Sequence, residues 1–133
     1  MTKKQQNEFK EQCKIFVWRE VNKIKYPCLK FLYGSMNGVK LDIVTATKAK
    51  ANGMTKGFPD VFLPYPNKTY AGLFIELKTE TGRVSKEQRE FIDYLNIAGY
   101  RAVVCHGHRE AIAEIENYLC LSIKDIKTSR TKT

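Results

Sequence analysis

Apolar side chains recur at helical spacing near the start of the chain, at Phe9, Cys13, Phe16, Val17, Val21 and Ile24. This predicts a helix from about Asn7 to Lys25, ended by Pro27, since the residue before a proline is driven out of helical backbone. The apolar run Leu29 to Tyr33 reads as a strand, with a turn following at Asn37-Gly38. Asp42 to Asn52 is weakly helical and stops at Gly53.

The middle of the chain is more strongly patterned. Val61 to Leu63 forms a short strand between Pro59-Asp60 and Pro64, and Pro66-Asn67-Lys68 turns the chain. Gly72 to Lys78 is a second strand, in which Leu73, Ile75 and Leu77 alternate with Phe74, Glu76 and Lys78. After the turn Thr81-Gly82-Arg83, Ser85 opens a helix with Gln88 at capping-box spacing. Phe91, Ile92, Leu95 and Ala98 are its apolar side, and Gly99 is placed to end it. Arg101 to Cys105 is a valine-rich strand, and a last helix runs from about His108 to Leu119 on Ile112, Ile115 and Leu119. Residues 1–121 then form one α/β domain, a mixed sheet flanked by helices, with 122–133 a polar, basic tail that frays.

Charge sharpens the picture. Lys and Arg outnumber Asp and Glu by 23 to 14, leaving a formal +9, which favours a polyanionic partner over a neutral one. Cys13, Cys28, Cys105 and Cys120 contain no CxxC pair, which argues against a zinc site and for free thiols in a reducing cytoplasm. No apolar run approaches the roughly 20 residues of a membrane span. The two histidines, His106 and His108, follow a strand and read as surface residues.

Glu76 and Lys78 are unusual inside a strand. Their Cβ atoms stand roughly 6.5–7 Å apart on one face, and Asp60 opens the preceding strand, so pairing of the two strands brings its carboxylate towards Glu76. Two carboxylates converging in a partly buried cleft repel unless a cation neutralises them. Few hard oxygen ligands suit Mg²⁺ or Mn²⁺, and a neighbouring lysine steadies charge on a phosphate or holds the attacking water. Against this stands the plainer reading of Glu-x-Lys as two solvated charges and of Asp60 as a turn residue.

The run Gly57-Phe58-Pro59-Asp60, fifteen residues, then Glu76-Leu77-Lys78 resembles the PD-(D/E)xK nuclease signature. With Gly53-Met54, Gly72 to Lys78, Gly82 to Gln88 and Gly99 to Cys105, the chain more narrowly resembles the VRR-NUC domain from about Glu11 to Leu119, and its small stand-alone phage-type members. The resemblance implies a restriction-endonuclease-like core that hydrolyses DNA phosphodiesters. It implies Asp60, Glu76 and the backbone carbonyl of Leu77 as metal ligands, Lys78 positioning water, and Gln88 as a further polar active-site residue. It places a first-helix glutamate near the metal. The family pattern selects Glu11, whereas periodicity puts Glu20 in the most obvious buried stripe; Glu11 is favoured. Asn37-Gly38 matches the family too, or is a plain turn. Lys56, Arg83 and the basic first helix are candidates for substrate phosphates. Small members that resolve DNA junctions imply branched DNA such as four-way junctions as substrate, and a homodimer to cut two strands symmetrically. The competing functions are a catalytically idle DNA-binding subunit on the same fold and a structure-dependent RNase.

Overall fold

The computed structural model describes residues 2–36 and 40–131, with side chains to Cys120. The Asn37-Gly38 turn lies outside the described residues. A long helix α1 (Lys3–Asn22) leads to a 3₁₀ turn (Pro27–Phe31), β1 (Tyr33–Gly34) and α2 (Ile43–Ala51). Then come β2 (Val61–Leu63), β3 (Leu73–Lys78), α3 (Lys86–Ile97), β4 (Arg101–His106) and α4 (His108–Thr131).

The strands form one mixed sheet in the order β1-β2-β3-β4. The β1–β2 and β2–β3 pairs are antiparallel, with Val61 opposite Ile75 and Phe62 opposite Phe74. The β3–β4 pair is parallel, and α3 makes the crossover. This is the mixed sheet flanked by helices that the pattern predicts.

The alternation along β3 splits the core in two. Leu73, Ile75 and Leu77 pack with Ile15, Leu29, Ile115 and Tyr118 on the side of α1 and α4. Phe74 packs with Ile92, Leu95 and Ala102 on the side of α3, stacked on Phe62 at 4.2 Å between ring centroids. Since helices cover both faces, every residue of β3 is buried, its two charged ones included. Ser85 and Gln88 close both bonds of the predicted capping box, and Gly99 has the positive φ (+99°) that ends α3.

Three expectations change. Leu29 to Tyr33 is not a strand: Pro27 fixes a helical φ, and the Leu29 N–H donates to Tyr26 and the Leu32 N–H to Leu29, as a 3₁₀ turn requires. Only Tyr33 and Gly34 reach the sheet. The backbone of α4 stays helical past Leu119 to Thr131, where a frayed tail was expected. In α1, Val17, Val21 and Ile24 are 67%, 75% and 88% exposed, while Ile15 is fully buried. The apolar residues of α1 are spread around its circumference, so their number does not choose the face. That choice is made by Ile15, by Phe16 and Trp18 packing beside the core, and by Arg19, which donates to the Leu32 carbonyl at 3.1 Å.

This orientation gives a stability test. Urea unfolding of Ile15→Ala is expected to show a loss of about 2–5 kcal/mol, the usual cost of emptying a fully buried aliphatic site. Val17→Ala is expected to change stability by no more than about 0.5 kcal/mol. The reverse ranking would mean that α1 packs on its other face.

Candidate active site

Asp60 is held in place by the turn before β2. Gly57 there has φ +93°, and a Cβ on it would lie 2.6 Å from the Glu87 carbonyl carbon, so only glycine lets this turn lie against α3. One step beyond the Val61–Ile75 pair, the register sets Asp60 across from Glu76. Asp60 Oδ2 accepts the Leu77 N–H at 2.7 Å, and its carbonyl accepts the Ser35 N–H at 2.7 Å. The acid is thus pinned between two strands, aimed along the face that carries Glu76.

Glu76 is 2% exposed and Lys78 6%, which excludes the reading of two solvated charges. Lys78 Nζ lies 3.4 Å from Glu76 Oε1, while Glu76 Oε2 is buried without a hydrogen-bond partner. Burial first, and then the charge of Asp60, push the Glu76 carboxyl up to about 8 against the pull of Lys78. Burial also raises Asp60; the Leu77 N–H, the adjoining Glu76 carboxyl and Lys78 draw it back, while Glu8 adds to the rise.

Asp60, Glu76, Gln88 and Glu8 line one cavity of about 450 Å³, with Lys50 and Lys56 also in its wall. Gln88 accepts the Ser85 N–H through Oε1 at 2.9 Å, so its amide nitrogen is the group left for the cavity. A smaller space of about 250 Å³ is bordered by Glu8, Asp60 and Leu77. The Leu77 side chain is core, and the backbone contact seen at this residue is its N–H on Asp60.

Glu11, the favoured first-helix carboxylate, is not brought to this cavity. It accepts the backbone N–H of His108 at 3.3 Å and meets the His108 ring Nδ1 at 2.5 Å, with Lys14 Nζ 3.7 Å away. Burial raises its carboxyl, but the two bonds to His108 outweigh that and hold it below the usual range. Glu20 is solvent-facing and tied to Arg19 and Lys23. The residue that the sequence reading missed is Glu8, whose Oε1 is buried with no hydrogen-bond partner. Its signal was Ile15: the two are seven residues apart, so they share one stripe of α1. Lys56 is 80% exposed and paired with Glu87 at 3.7 Å. Arg83 is exposed in the β3–α3 connection, apart from the residues lining the cavity. His108, expected at the free surface, is instead the partner of Glu11, and His106 is exposed.

Residues 3–109 match the model of the VRR-NUC domain, from α1 to the first turn of α4. The chain belongs to the VRR-NUC family. A solved structure described as a VRR_NUC domain protein is 29% identical, with a TM-score of 0.74, over 87% of this chain and 90% of its own. No curated protein matches. The VRR-NUC domain is a nuclease-type, DNA-processing domain, and every residue of the cavity falls inside the matched region. No helix among the described residues is long and apolar enough to cross a membrane.

The raised carboxyls predict how stability follows pH. Unfolded, Asp60 and Glu76 lose their protons near 3.8 and 4.5; folded, they keep them to higher pH, Glu76 to about 8. The folded chain binds more protons across that window, so its stability falls as pH rises from about 4.5 to about 8. Asp60→Asn keeps an acceptor for Leu77 and removes one charge. In EDTA its Tm is expected to exceed wild type by a few degrees at pH 8.5, with the gap closing towards pH 4.5. A gap independent of pH would rule out charge repulsion as its source.

Proposed function

We propose that this VRR-NUC chain is a divalent-metal-dependent endonuclease that hydrolyses phosphodiester bonds in branched or structured DNA, such as four-way junctions, as a homodimer. The observation that carries this reading is the buried Asp60–Glu76 pair, with Glu76 Oε2 and the nearby Glu8 Oε1 left without hydrogen-bond partners. Buried carboxylate oxygens without donors are costly unless a cation or a proton satisfies them.

The donor set fits Mg²⁺ or Mn²⁺. Among the described residues no three His, Cys, Asp or Glu stand close enough to hold a metal ion by themselves, so water would complete the coordination of a cation held by the Asp60–Glu76 pair. Asp60 and Glu76 would hold it, with the Leu77 carbonyl as a further donor, and Glu8, in the cavity wall where Glu11 was expected, would act through water. When bound, such an ion supplies Lewis-acid charge for phosphoryl oxygens and lowers the pKa of water.

The remaining roles belong to the protein's own groups. Lys78, buried and held by Glu76, presents an ammonium where charge develops on the phosphate or on the attacking water. Gln88 offers amide hydrogens into the same cavity. Lys50 and Lys56 supply positive charge in the cavity wall for neighbouring phosphates, and Arg83 does so from the β3–α3 connection. The likeness to small stand-alone junction-resolving members supports the homodimer, since a dyad relates two sites without added sequence.

Cleavage of a four-way junction by the full chain is expected with Mg²⁺ or Mn²⁺ and to stop in EDTA. Lys78→Ala is expected to slow single-turnover cleavage by about 10²–10³-fold, with junction affinity changed by less than about threefold because surface charge supplies most of it. Persistent cleavage in excess chelator would refute the metal. Faster cutting of structured RNA would reassign the substrate, and a monomeric mass on the junction in sedimentation would remove the dimer.

A further inference from the structure

A second, larger hollow of about 830 Å³ lies between α1, the ends of β3 and β4, and the start of α4. It is separate from the carboxylate cavity, with which it shares no residue. One wall is a stripe of α1: Lys3, Asn7, Lys10 and Lys14 stand four, three and four residues apart, on one side of the helix. This stripe is turned from Glu8 by roughly a third of the helix circumference. Arg109 and Lys4 add two more cations, against the two carboxylates Glu11 and Glu80.

The positive charge here is only partly compensated. Glu11 is already engaged by His108 and by Lys14. Among the described residues Lys3, Lys4, Lys10 and Arg109 form no ion pair, and all four are exposed. The five cations, Lys14 with its Glu11 partner among them, outnumber the two carboxylates and leave the hollow net positive. The Glu11–His108 contact ties α1 to the first turn of α4 and so fixes the width of the hollow. It also occupies the His108 N–H, so the anion-attracting groups are the side chains.

We infer that this hollow is a DNA backbone groove, holding a stretch of duplex beside the one being processed. From Lys3 to Lys14 the helix rises about 16 Å, enough to follow about five phosphates of one strand at 3.4 Å each. Glu8 and the lysine stripe are two faces of one rigid helix, so DNA in the groove is held at a fixed angle to the carboxylate cavity. The choice of DNA rests on the proposed function; the groove itself does not depend on catalysis.

The test is binding of a fluorescent linear duplex to the full chain in EDTA, at a series of salt concentrations. Each phosphate contact adds about 0.9 to the slope of log affinity against log salt. Lys10→Gln is expected to make the slope shallower by about one, and the triple variant Lys3→Gln, Lys10→Gln, Lys14→Gln by about 2–3. A control removes the same charge elsewhere, at the exposed Lys25, Lys30 and Lys68, and is expected to change the slope by less than about one. Circular dichroism confirms that each variant folds. Equal slopes for the groove triple and wild type, or an equal loss in the control triple, would overturn the groove while leaving the nuclease reading intact. Wild-type protein that bound no duplex at low salt would overturn both.

Discussion

The molecule depends on a single covered strand. Because α3 packs on one face of β3 and α1 with α4 on the other, Glu76 and Lys78 are almost wholly buried. A charge stripped of water is held only by partners, and the partners here do not match. Lys78 answers one oxygen of Glu76, the other is left unsatisfied, and Asp60 stands opposite with the same sign. Burial that would merely be unfavourable in an ordinary core creates a demand for positive charge at one point. The cavity between Glu8, Asp60, Glu76 and Gln88 is where that demand opens to ligands.

Much of this was legible in the sequence. The order of the elements, the alternation in β3 and the capping box of Ser85 and Gln88 all follow from local pattern, because each is set within a few residues. The approach of Asp60 to Glu76, with Lys78 and Gln88 close by, was legible for the same reason: strand pairing and one short turn determine it. What was not legible depends on packing between distant segments. The rotation of α1 was misread because Val17, Val21 and Ile24 look like a buried stripe, whereas Ile15 alone is fully enclosed. That rotation also decides between Glu8 and Glu11, one helical turn apart, and periodicity cannot resolve it. The 3₁₀ turn at Pro27 was missed because an apolar run of that length fits a strand equally well.

With its rotation fixed, α1 accounts for features that otherwise look unrelated. Its inner stripe carries Ile15 into the core and Glu8 to the cavity, Glu11 ties it to His108, and its outer flank carries the lysines of the groove. A formal +9 is then not spread evenly: part of it is gathered on the helix that also contributes to the proposed active site.

A divalent-cation site at the Asp60–Glu76 pair is tested by anomalous scattering from crystals of the full chain soaked in Mn²⁺. One strong peak is expected within bonding distance of Asp60 and Glu76 carboxylate oxygens, on the side of Glu8 and away from Glu11. A peak at Glu11 and His108, or none between Asp60 and Glu76 in manganese-bound crystals, would contradict it.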